Sequence, residues 1–125
     1  MLKRLAWLRV PLALAPLALL SSLSADAGRL AIVVDDIGYS RDAGERVLAL
    51  PNAISIAVLP FTPHAMALAR RAQAIGKDVL LHQPLESEDE SVQAVRTLNL
   101  NMSPDYIKKE VEAGLNAIPG VKGVS

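Results

Sequence analysis

The chain has 125 residues, half of them hydrophobic, and its thirteen basic and thirteen acidic residues cancel to a net charge of zero. It contains no cysteine, which excludes a disulfide framework and a thiol nucleophile. Balanced charge and an aromatic content of 3% exclude a basic nucleic-acid footprint with bases stacked on rings.

Residues 1–27 read as a secretory signal. Lys3, Arg4 and Arg9 are basic, an apolar stretch follows, and Ala25-Asp26-Ala27 has the small-x-small form of a cleavage site. The apolar run is short and broken by Pro11 and Pro16, so no stable membrane span is expected once the signal is removed. An uncleaved N-terminal anchor is the alternative. Either way the protein is expected to be exported, to the periplasm or beyond. The remaining 98 residues, 28–125, carry a net charge of −2 and must fold on their apolar core alone.

The first expected strand is Leu30-Ala31-Ile32-Val33-Val34, a β-branched run that reads as buried. It runs into Asp35-Asp36-Ile37-Gly38. Two ionised carboxylates do not sit unpaired in a strand core, and strand neighbours point to opposite faces. The pair is therefore expected at the strand's end, where the backbone turns. There it serves as a site, or one Asp caps the next helix.

A helix follows, capped by Ser40 or Asp42, with Val47, Leu48 and Leu50 toward a sheet. Ala53-Ile54-Ser55-Ile56-Ala57-Val58-Leu59 is the second strand. Thr62 with Pro63 predicts the start of a second helix, whose apolar stripe is Ala65, Met66, Leu68, Ala69, Ala72 and Ile75. Gly76 ends it. Asp78-Val79-Leu80-Leu81-His82 is the third strand. An acidic loop holds Glu86, Glu88, Asp89 and Glu90. Ser103-Pro104 opens a third helix with Ile107, Val111, Leu115 and Ile118 on one face. Val121-Lys122-Gly123-Val124-Ser125 begins a fourth strand. The order β-α-β-α-β-(loop)-α-β predicts an α/β fold with parallel neighbours, about half of a (β/α) barrel or a small open sheet.

Parallel strands gather their carboxyl ends on one rim. Asp35 and Asp36 end the first strand, Phe61 follows the second, and His82 ends the third with Glu86 four residues on. Two Asp and one His suit a divalent transition metal such as zinc, although a lone His is also commonly a hydrogen-bonded rim residue. Phe61 and Glu86 are the candidates to touch a substrate. His64, in the first turn of a helix, is expected to be exposed. No glycine-rich phosphate loop and no Gly-x-Ser-x-Gly elbow is present.

Three stretches together resemble the divergent polysaccharide deacetylase family: Ile32-Val33-Val34-Asp35-Asp36-Ile37-Gly38-Tyr39, Ile56-Ala57-Val58-Leu59-Pro60-Phe61-Thr62-Pro63-His64-Ala65, and Gly76-Lys77-Asp78-Val79-Leu80-Leu81-His82-Gln83-Pro84-Leu85-Glu86. They match in order, and the resemblance extends from Arg29 to Val124. It implies a distorted (β/α) barrel and a metal-dependent hydrolytic site acting on an acetylated polysaccharide. It implies Asp35 as general base and Asp36 and His82 as metal ligands.

The chain departs from that pattern in three places. Carbohydrate deacetylases carry a second histidine where this chain has Glu86. The family's Leu-Pro-Met-Glu is Gln83-Pro84-Leu85-Glu86 here. After a Gly-Val like Gly123-Val124 the family continues Asn-Asn-His-Met-Gly-Ser. The expectation is therefore the front part of a larger domain, inactive on its own. The alternative is a non-catalytic glycan-binding or scaffold protein of the envelope.

Overall fold

The computed structural model describes residues 28–88, 94 and 96–125. The expected signal, residues 1–27, and the acidic Asp89 and Glu90 lie outside them.

The chain runs β1 (Ile32–Ile37), α1 (Arg41–Leu48), β2 (Ile54–Val58), α2 (Ala65–Ala74), β3 (Val79–Leu81) and α3 (Pro104–Ala117). The strands form a parallel sheet in the order β1-β2-β3. Residues 121–125 lie alongside β3, also parallel, through the bridge Leu81↔Val124. Lys122 N–H donates to Val79 O and Ser125 N–H to Leu81 O, both at 2.8 Å. The expected fourth strand is thus one bridge with its flanking hydrogen bonds. Among the described residues the sheet is open, not closed into a barrel.

β2 is an inner strand, with β1 paired on one side and β3 on the other. Ile56, Ala57 and Val58 are fully buried. Since alternate residues face opposite ways, both faces of β2 are covered here. Ile56 and Val58 join Leu68, Ala69 and Ala72 of α2, Leu48 of α1, and Val79 and Leu81 of β3 in one cluster. α1 meets α2 at Gly44, where an added Cβ would lie 2.4 Å from a Leu68 methyl carbon. Glycine there allows the close approach. Buried Lys77 ties this layer together. Its ammonium donates to Leu50 O and Pro51 O at 2.8 Å and to Ile54 O at 3.3 Å, joining the end of α1 to the start of β2.

Several expectations are corrected. β1 is apolar but not buried: Ile32 and Val33 are 46% and 39% exposed, because β1 is the outer strand. Leu50 is exposed too. α1 is capped by Ser40, whose hydroxyl accepts from Ala43 N–H, and not by Asp42. α2 begins at Ala65, so Thr62 is not its cap. The Thr62 hydroxyl donates to Leu59 O instead, at 2.8 Å, and shapes the turn before the helix. His64 takes the N-cap position and is half-buried. α3 starts as expected, with Ser103 accepting from Tyr106 N–H and Pro104 in the first turn. Its buried face, however, carries Glu110 and Gly114, while Leu115 is exposed.

Candidate functional site

The carboxylate pair is not beyond the end of β1 but inside it. Val34 pairs with Ile56 and Ile37 pairs with Val58, so β1 spends one residue more than β2 between the two pairings. This is a β-bulge, and it re-aims side chains. Asp36 absorbs it with φ of 60°, a left-handed conformation that is costly for a residue with a Cβ. Ile37 anchors the far side: it is buried, and its carbonyl accepts from Leu59 N–H at 2.9 Å. The following Gly38 has φ of 143°, and a Cβ there would lie 2.0 Å from the Thr62 hydroxyl. Only glycine fits this turn.

The bulge brings both carboxylates to one histidine. His82 follows β3 directly and donates its N–H to Val58 O at 2.9 Å. Asp36 Oδ1 stands 3.3 Å from His82 Nε2, and Asp35 Oδ1 stands 3.8 Å from Nδ1. The imidazole is thus flanked by a carboxylate at each nitrogen. Ser125 Oγ lies 3.2 Å from His82 Nδ1 and 3.4 Å from Asp35 Oδ1, between the two. The carboxylates face solvent, with Asp36 75% and Asp35 49% exposed, while His82 is 22% exposed. Among the described residues no group of three His, Cys, Asp or Glu side chains is arranged to hold a metal ion. Two donors, Asp36 Oδ1 and His82 Nε2, do share one side of the ring.

Asp36, His82 and Ser125 open into a cleft of about 650 Å³, walled by Tyr39, Leu59, Gln83, Pro84, Leu85, Ser87 and Ala94. That is within the usual range for a small-ligand site. Among the described residues no helix is long and apolar enough to cross a membrane.

Glu86 and Phe61 do not line this cleft. Glu86 turns into an adjoining apolar groove with Leu85, Leu98, Leu100 and Ile107. Its carboxylate accepts from Leu100 N–H at 3.0 Å. Phe61 is 45% exposed with φ of 64°. The guanidinium of Arg96 stacks on it, 4.2 Å from the ring centroid.

Arg96 in turn makes a two-pronged pair with buried Glu110, Nε to Oε2 at 2.5 Å and Nη2 to Oε1 at 2.8 Å. That hydrogen bond holds the Glu110 carboxyl below the ordinary carboxylate range and raises the Arg96 guanidinium. Gln83 Nε2 donates to Arg96 O at 3.2 Å.

Sequence reasoning missed Ser125, Arg96, Gln83 and Glu110. For Glu110 a signal existed: a carboxylate three residues after Ile107 and beside Val111, on the inward face of a helix. Ser125 gave none.

The profile of the divergent polysaccharide deacetylase family matches residues 32–125. The chain is 41% identical over 99 residues to the uncharacterized protein YibQ of Escherichia coli, covering 79% of this chain and 31% of that protein. It is 33% identical over 112 residues to an uncharacterized protein of Haemophilus influenzae, covering 86% of this chain and 39% of that one. The chain thus spans about a third of the length of these curated relatives. The crystal structure of the uncharacterized protein ATU2773 from Agrobacterium tumefaciens has a similar fold. Its TM-score is 0.68 at 21% identity, over 75% of this chain and 39% of that one.

Proposed function

Because the chain belongs to the divergent polysaccharide deacetylase family, we propose that its rim is part of a metal-dependent hydrolytic site that removes acetyl groups from an envelope glycan. The open parallel sheet supports membership of a distorted (β/α) barrel of that type. Residues 1–27 support an exported, periplasmic or secreted location, which fractionation would check.

The observation that carries this reading is the 3.3 Å between Asp36 Oδ1 and His82 Nε2. Two ligands at about 2.0–2.1 Å on a tetrahedral zinc stand about 3.3 Å apart. Asp36 and His82 would hold a divalent cation, and zinc suits their donor types. A third protein ligand would come from outside the described residues. When bound, such a cation would supply Lewis acidity toward an acyl carbonyl and toward a water molecule.

This chain's residues do the rest. Asp35, at the other ring nitrogen, would act as general base, taking the proton of the attacking water on a carboxylate oxygen. Ser125 braces Asp35 against His82 Nδ1, which leaves Nε2 facing Asp36. Phe61 and Glu86, outside the cleft wall, would contact more distant parts of the glycan.

Calorimetric titration of zinc into the chain tests the reading. One cation should bind, and Asp36→Ala or His82→Ala should weaken it about tenfold or more. Zinc binding untouched by both substitutions would sink the assignment.

One observation favours a second reading, glycan binding without hydrolysis: Glu86 stands where carbohydrate deacetylases carry a second histidine, and its carboxylate is engaged by Leu100 N–H. Binding of acetylated oligomers with no zinc-dependent release of acetate, in a longer form of the protein, would select it.

A further inference from the structure

Three non-glycine residues among those described have a left-handed backbone: Asp36, Phe61 and Arg96. Such strain persists where the surroundings over-determine it, commonly at ligand sites. Asp36 belongs to the site already described. The other two stack on each other.

Their placement relates them to the cleft. Phe61 follows the cleft residue Leu59 by two positions, and Arg96 follows the cleft residue Ala94 by two. Each is therefore within about 7 Å of the cleft wall, measured along the backbone. Gln83, itself a cleft residue and buried, donates to the Arg96 carbonyl. The stacked pair thus stands beside the cleft.

The guanidinium is fixed from behind. Glu110, buried on α3, takes two of its nitrogens, so its plane is set before it meets the ring. Only arginine offers this planar fork; lysine presents a point charge. Phe61 is half-exposed. Arg96 covers part of it and leaves the remainder open to solvent. The carboxylate of Glu110 balances the cation, so the platform carries no net charge. It suits the apolar C–H face of a neutral sugar ring better than an anion.

We propose that Arg96 is a positioning residue: clamped by Glu110, it holds Phe61 as a stacking platform for a neutral pyranose unit beside the Asp36–His82 cleft. This rests on the reading that the cleft takes a glycan. It adds a second sugar position to that cleft and gives it a preference for oligomers over single sugars.

The test is titration of the full chain with N-acetylglucosamine and with its trimer. The wild type should bind the trimer more tightly than the monomer. Phe61→Leu and Arg96→Lys should each lower trimer affinity by about tenfold while leaving zinc affinity unchanged. Phe61→Leu changes an exposed side chain and keeps its apolar bulk, so loss of fold does not explain its effect. Ring-current-shifted side-chain NMR signals of Arg96 should move to ordinary positions in Phe61→Leu, which reads the stack directly. Trimer affinity retained in both variants would overturn the platform and leave the glycan reading standing. A wild type that binds zinc but no oligomer would overturn both.

Discussion

β1 and β2 are both short, apolar, parallel strands, yet they do opposite work. β2 is regular and sealed on both faces, with Ile56, Ala57 and Val58 fully buried. β1 is half-open, bulged, and carries two carboxylates and a left-handed Asp36. The difference lies in position more than composition. A central strand has ladders on both sides and cannot absorb an extra residue without breaking one. An outer strand can, so the strain that aims a site is stored where it disturbs one ladder only.

The largest expected effect tests the sealed side. Ile56→Ala, at a β2 residue 0% exposed, should cost roughly 2–5 kcal/mol in chemical denaturation. Ile32→Ala on β1 should cost no more than about 0.5 kcal/mol, as surface changes do. Equal losses would erase the contrast between the strands.

Next comes the turn after the bulge. Gly38→Ala should cost about 1–3 kcal/mol, from the φ of 143° and the clash with Thr62. Adding Thr62→Ala should recover only part of it, because the backbone term remains.

At the bulge itself the sign reverses. Asp36→Gly should leave stability unchanged or raise it by up to about 1 kcal/mol, since glycine accepts φ of 60° freely. Zinc affinity should fall in the same variant. A clear destabilisation would show that Asp36 is structural and not strained.

The smallest effect concerns pH. Arg96 holds the folded Glu110 carboxyl below its unfolded value. The contribution of the pair is therefore present above the ordinary carboxylate range and lost as pH falls through the lowered folded value. Arg96, raised, stays charged throughout. Glu110→Gln should flatten the acid side of the stability curve, and an unchanged acid limb would assign that slope to other groups.

Much of this could be read from residues. Apolar runs located β2 and β3 and, shifted by a few residues, β1, and alternation with helices gave the parallel order. The same order put Asp35, Asp36 and His82 on one rim. The bulge was hidden because adjacent carboxylates look alike whether a strand ends or kinks. Thr62-Pro63 looks like a helix start, but the hydroxyl found Leu59 O first. Arg96 lies in a stretch without periodicity, and its partners are 14 and 35 residues away in sequence. Burial of β1 was over-read because local composition does not say which strand is outermost.

Lys77 has a practical consequence. Its amine is buried against three carbonyls, whereas Lys108, Lys109 and Lys122 are exposed. An amine-reactive reagent will label those three at once and reach Lys77 only when the junction of α1 and β2 opens. The rate of that one modification is a clock for the opening of the fold, readable by mass spectrometry under native conditions.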